Sequence, residues 1–386
     1  MHFPSFTKGL PRGVRWAAAG LGCLVLAGGV AVGIMAASRP AHARAATGPA
    51  RAVLPGPTYA PAALQPARRP AATDPTTAAA RRTPPTTAPA RCPLTGTPAP
   101  GGVAPNRPAV AVKVDDYPSA RPQYGLDAAD IVFEEPVEGG ITRFVAVFQC
   151  HQAARIEPVR SARLVDALLL PQLGRPVFGF AGGIGPSVAA VDGSGARVAG
   201  VDQAPGAYRK DPARFAPHEL ETSTAALLAA AGHPSGPPPP LFTYAARPRP
   251  GAATPSLHLH FSDYSDVWWR WDAHLSRYRR FYGDVPALLG DGHQIAAANV
   301  VVEQVQLTPS PYVEDATGVH EWDVGVVGSG PAEVARDGTV VTGRWERPSA
   351  AAPTRLVDSA GQAISLAPGP TWVELLPATA GASPAP

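Results

Sequence analysis

Three hydrophobic patterns follow one another along the chain. Residues 16–37 carry no charge and are dominated by Ala, Val, Leu and Gly. A run of that length is enough for one helix to cross roughly 30 Å of hydrocarbon. Residues 38–104 show no apolar period of either kind. From about residue 105, short β-branched runs and period-2 alternation begin, separated by Gly, Pro and Asp. That third pattern predicts a folded body rich in strands.

Within the body, residues 109–114, 130–135 and 141–150 read as strands. Gly139-Gly140 sets a hairpin between the last two. Leu164, Leu168 and Leu169 fall on one helical face, predicting a helix over 163–173 with Ser161 as a candidate N-cap and Pro171 limiting its end. A strand over 177–181 leads into a Gly-rich turn and a short helix starting at Pro186. A further helix is expected over 219–231, closed by Gly232. HPSGPPPP at 233–240 breaks the chain, because consecutive prolines fit neither a helix interior nor a central strand. Beyond it, strands are predicted at 256–262, 267–271, 278–282, 299–307, 320–327, 339–344, 354–357, 363–366 and 371–376, with Asp337-Gly338 as a hairpin turn. The expected fold is α+β: a mixed α/β first domain over 105–232, then a mostly β second domain over 241–377. A disordered tail is expected at 378–386.

Composition assigns the ends. Fourteen of the 67 residues in 38–104 are Pro, so this stretch reads as a disordered Ala/Pro/Arg-rich linker. Lys8, Arg12 and Arg15 precede the apolar run, which predicts the N-terminus inside and the remainder outside. Residues 1–37 are then a signal-anchor holding the protein to the membrane through 16–37. The alternative is a signal peptide cleaved near Ala43, at the Ala41-His42-Ala43 site. Cys23 lies inside the apolar run, which argues against a lipid-modified cysteine. In each case the body is extracytoplasmic, in the cell envelope.

Charge excludes one partner class. Residues 1–104 hold 11 Lys/Arg and one Asp, while the rest of the chain holds 22 basic and 29 acidic residues, a net −7. A mildly acidic body is a poor surface for nucleic acid. A cell-wall polymer or an envelope protein is the expected partner. An exported chain also permits a disulfide between Cys92 and Cys150, two free thiols being the alternative.

Candidate chemistry concentrates in residues 113–163. Asp115 and Asp116 end a strand, where carboxylates take a cation, sugar hydroxyls or turn amides. Glu134 and Glu138 would share a strand face if the pleat ran past Pro136. They are then either an acid/base pair on a glycosidic bond or partners of Arg143, Arg160 and Arg163. Arg121 joins the same set. Arg160-Ser161-Ala162-Arg163 precedes a helix and offers two guanidinium groups to an anion. Gly182 and Gly183 form either a tight turn or an amide cradle. His218, after Pro217, is a candidate proton carrier. His258 and His260 share a strand face, but spacing fixes no third ligand. No metal site and no cofactor fingerprint is read.

These residues carry a resemblance. Asp115, ARPQYGL at 120–126, ADIVFE at 129–134, EGGITRF at 138–144 and PVRSAR at 158–163 resemble the bacterial DUF3048 family of unknown function. So do APHE at 216–219, Asn299-Val300-Val301, Gly343-Arg344-Trp345 and 368–374. Asp116 stands where the family has Asn, and Ile184 where a small hydroxyl residue is common. The resemblance spans about 105–377. It implies an exported, membrane-tethered protein of two domains and names no activity. The leading expectation is a binding or scaffolding module; the alternative is a polysaccharide or peptidoglycan hydrolase using Glu134 and Glu138.

Overall fold

The structure, a computed structural model, describes residues 90–247, 251–314, 316–379 and 381–385. The predicted membrane or signal segment and the linker as far as residue 89 lie outside the described residues. In chain order the strands of the body are β1 (Val110–Asp115), β2 (Ile131–Pro136), β3 (Thr142–Phe148), β4 (Val177–Gly179), β5 (Arg197–Val198), β6 (Ser256–Ser262), β7 (Ser265–Asp272), β8 (Arg277–Tyr282), β9 (Asn299–Val305), β10 (Leu307–Val313), β11 (His320–Val324), β12 (Gly328–Arg336), β13 (Thr339–Arg347), β14 (Arg355–Val357), β15 (Thr371–Pro377) and β16 (Gly381–Ala385). The helices are short: α1 (Leu164–Leu169), α2 (Gly185–Gly193) and α3 (Thr224–Ala230).

One large sheet organises these elements, in the order β14–β13–β12–β9–β15–β2–β3–β1–β4–β5. Strands from before and after the 233–240 prolines meet at its centre. There β2 runs parallel to β15, with Ile131 opposite Thr371 and Glu134 opposite Glu374. A second sheet is built around β8–β7–β6–β16.

The central strands β1, β2, β3 and β15 are buried along their whole length. A strand buried on both faces reads as a continuous apolar run, which is why these were the clearest in the sequence. Alternate residues supply two cores. Val112, Val132, Phe144 and Trp372 face Leu257, Leu259, Val267 and Trp269 of the second sheet. Ala111, Phe133, Val145 and Val373 face the other way, onto Val165, Leu169, Leu170 and Val191.

Among the described residues the chain is mostly β; the three expected helices form, two of them shorter than expected. Over 219–231 only Thr224–Ala230 is helical, because Ser223 caps it with Oγ accepting from the Ala226 amide at 3.1 Å. Residues Leu220–Glu221 pair instead with Arg209–Lys210. The helix expected over 163–173 is α1 followed by a tighter turn, Leu170–Leu173.

Both ends of the body extend past the expected boundaries. Leu94 is fully buried in a core cluster, Cys92 is bonded to Cys150, and the Tyr244 hydroxyl donates to the Leu94 carbonyl. Proline-rich composition hid this short buried segment. At the other end, the stretch expected as a tail carries β16, which pairs antiparallel with β6.

Candidate functional site

The pleat sorts the charged block onto two faces. Asp116, Glu134, Thr142 and Glu374 share the parity that faces the second sheet; Lys113, Asp115, Glu135 and Arg143 have the opposite parity. Each face builds a different network.

On the first face, the β2–β15 register sets Glu134 beside Glu374. Arg280 of β8 reaches across from the second sheet, its Nη1 and Nη2 donating to Glu134 at 2.7 and 3.0 Å. It also lies 3.5 Å from Glu374 and 3.8 Å from Asp116. Burial opposes ionisation of Glu134, but Arg280 together with hydrogen bonds from Glu374 and Thr142 outweighs it and holds this carboxyl below the usual range. Burial and the neighbouring Glu134 push Glu374 well above that range. Glu374 is therefore the protonated partner, while the Trp269 indole donates to its Oε1 at 2.8 Å. Asp116 closes the cluster, accepting from Gln123 at 2.8 Å, Tyr282 at 2.5 Å and Arg121 at 3.1 Å. The Arg121 guanidinium carbon lies over the Tyr282 ring, 3.4 Å from its centroid.

On the second face, Lys113 bonds Glu135 and, at 2.9 Å, Asp166. One ammonium between two carboxylates leaves a charge uncompensated. Burial and Asp166 raise the Glu135 carboxyl to about 8. The Asp166 carboxylate also accepts from the Arg163 amide at 2.7 Å, so Arg163, rather than Ser161, precedes α1.

Glu134 and Glu138 part company. β2 ends at Pro136, and Glu138 sits in a turn with Gly139 and Gly140, both at φ +75°. Glu134 is fully buried on Arg280, whereas Glu138 is held by Arg163, with Nε donating at 2.9 Å. Arg163 also pairs with Glu314 at 2.7 Å. Closed off by direct guanidinium contacts, the two carboxyls do not form an acid/base pair over an open cleft.

At the end of β1 the second face opens to solvent. Asp115 is buried, with Oδ2 accepting from Arg160 Nε at 2.9 Å and meeting His218 Nδ1 at 2.9 Å. The Tyr117 amide donates to Oδ1 at 3.2 Å. The other His218 nitrogen, Nε2, lies 3.0 Å from Ser119 Oγ, and the imidazole stacks on Tyr117. Arg143, opposite Asp115 in the β1–β3 register, has Nη1 on the Ser161 carbonyl at 3.2 Å. Its Nε has no partner among the described residues, and the nearest Glu138 oxygen is 3.7 Å away. Burial and the adjacent Arg163 push the Arg143 guanidinium down to about 10. Asp115, Tyr117, Ile141, Arg143, Arg160, Pro217 and His218 line a pocket of about 270 Å³. A second pocket, of about 540 Å³, is also lined by His218 and carries Ser119, Arg121, Tyr124, Arg214 and Phe215.

Two family models match this chain. The N-terminal domain of a protein of unknown function, DUF3048, covers residues 94–235, and the C-terminal domain of the same family covers 257–373. The chain belongs to the DUF3048 family. A Bacillus subtilis (strain 168) protein, YerB, named as a candidate lipoprotein, is 56% identical over 61 residues. That stretch is 16% of this chain and 18% of YerB. The crystal structure of YerB from Bacillus subtilis is similar with a TM-score of 0.66, at 24% identity, over 76% of this chain and 99% of that one. The likeness at that identity is one of fold.

The family motifs thus meet in space. Asp115, Arg143, Arg160 and His218 converge on one pocket, while Asp116, Arg121 and Glu134 form a buried network beside it. Glu138 and Arg163 brace the neighbouring hairpin. Gly182 and Gly183 serve as a turn packed on Ala162: the Ala162 amide donates to the Gly182 carbonyl at 3.0 Å, and a Cβ on Gly183 would stand 3.2 Å from the Ala162 carbonyl. His258 and His260 both reach Asp266, at 2.5 and 3.3 Å.

Arg280, Glu374 and Ser119 were missed by sequence reasoning. Arg280 had a readable signal, since it shares a strand face with Tyr278 and Tyr282 and so had to be buried with a partner. Glu374 closes the family segment 368–374, which marked its position but not its partner; Ser119 had no signal.

Proposed function

We propose that this protein is a cell-envelope recognition module that binds an anionic group of a wall polymer in the pocket at the end of β1. The observation that carries this reading is Arg143. Its side chain is 5% exposed, its Nε is unpartnered among the described residues, and burial lowers its pKa. A buried guanidinium without full countercharge is costly, and an oxyanion in the adjoining pocket would supply what is missing. Arg160 uses Nε on Asp115 and is 24% exposed, so its remaining N–H groups can reach the same ligand. Planar guanidinium forks suit both carboxylate and phosphate. The relatedness to YerB, named as a candidate lipoprotein, supports a place outside the cytoplasm, and the uncharged apolar run supports a membrane anchor through residues 16–37.

Sedimentation of the full-length protein with purified wall material tests the reading. Stripping phosphate polymers from the wall separates a phosphate ligand from a carboxylate of the peptide stems. The expected result is retention by the wild type and at least about tenfold weaker retention by Arg160→Gln and by Arg143→Ala, with circular dichroism unchanged. Equal retention by both variants rules the site out.

A further inference from the structure

We propose that Ser119, His218 and Asp115 form a nucleophile–base–acid relay that transfers an acyl group from a carboxylate-bearing ester or amide. The inference rests on the anion-binding reading above, because the Arg143/Arg160 pocket is where the substrate's charge would sit.

The hydrogen bonds run in the order such chemistry needs. Asp115 Oδ2 meets His218 Nδ1 at 2.9 Å, and His218 Nε2 meets Ser119 Oγ at 3.0 Å. A carboxylate on Nδ1 selects the tautomer whose proton is there and leaves Nε2 free to accept the hydroxyl proton. Asp115 is itself fixed, by Arg160 Nε and the Tyr117 amide, and the Tyr117 ring stacks parallel to the imidazole at 6.0 Å. Base and orienting acid are therefore held, while Ser119 is exposed in the turn Pro118–Ala120. His218 lines both pockets, and the larger one carries Ser119 together with Pro122 and Phe215. A substrate anion held by Arg143 and Arg160 would place the neighbouring acyl carbon on the Ser119 side of the imidazole.

The step balances with residues present and water. Ser119 Oγ attacks the carbonyl carbon while its proton passes to His218 Nε2. The Oγ–C bond forms, and the bond to the alkoxide or amine leaving group breaks as Nε2 returns the proton to it. Water then repeats the sequence on the acyl-Ser119 ester and frees the acid. No oxidant, metal or co-reactant is needed.

The experiment is active-site labelling of the full-length protein with a fluorophosphonate, with the adduct located by peptide mass. The expected result is one adduct on Ser119, absent in Ser119→Ala and formed about 100-fold more slowly in His218→Asn. Ser119 is exposed, so Ser119→Ala leaves the fold intact. An unlabelled Ser119, or labelling equally fast in His218→Asn, overturns the relay. A paired measurement separates this from the anion site: turnover of 4-nitrophenyl hydrogen succinate against 4-nitrophenyl butyrate. Preference for the charged ester, together with labelling at Ser119, supports both parts. Labelling with no preference supports the relay and overturns the placing of the substrate charge.

Discussion

Arg280 brings a charge into the contact between the two sheets. It is fully buried, and its guanidinium answers Glu134 directly with Glu374 and Asp116 close by. Removing one partner of a buried pair strands the other charge, at a cost of about 3–5 kcal/mol. Arg280→Met is expected to lose that much in urea unfolding. Glu374→Gln should cost less than about 1 kcal/mol, because the amide replaces a carboxyl that is already protonated. Glu135 gives a pH dependence of known sign. Its folded pKa of about 8 exceeds the ordinary 4.5, so the folded protein keeps a proton that the unfolded chain gives up. The stability it contributes is full below about pH 4.5 and is lost as pH rises toward 8. Glu135→Gln should flatten that decline in chemical denaturation; an unchanged slope would remove Glu135 as its source.

At the scale of elements, the segment around Cys92 behaves as a short strap. Cys92 and Cys150 are bonded across a sequence separation of 58, and the Gly369 amide donates to the Thr95 carbonyl at 2.9 Å. Closing a loop of that length contributes about 4 kcal/mol in the chain-entropy account. Cys150→Ser should lower unfolding free energy by about that amount, and hydrogen exchange should speed up first at 91–99. Strands such as β3, β9 and β15 were legible in the sequence, because a β-branched run buried on both faces looks the same in any context. The strap was not, since Leu94 is one apolar residue among prolines. Short helices were overread because Leu220 and Glu221 carry helical residue types but pair as a strand. Helix propensity is a fraction of a kcal/mol per residue and yields to such pairing.

For the whole molecule, registers between distant segments decide what the charged block does. Asp115, Arg160 and His218 were each visible as candidates, yet Asp115 and His218 are 103 residues apart and nothing local joins them. The Glu134–Glu374 adjacency depends on β2 and β15 pairing across most of the body. One sheet built from both segments also predicts cooperative folding. Residues 90–235 and 241–386 produced separately should each lack a native thermal transition, and the intact body should show one. Two transitions at separate temperatures would contradict this.

The most direct measurement is of the site itself during ligand addition. Arginine Nε–Hε and histidine ring signals of the full-length protein can be followed by NMR while solubilised wall fragments are titrated in. Arg143, Arg160 and His218 should shift together and saturate at one concentration, with Arg280 unmoved in its buried network. Saturable shifts elsewhere with these three unchanged would contradict an anion site at the end of β1.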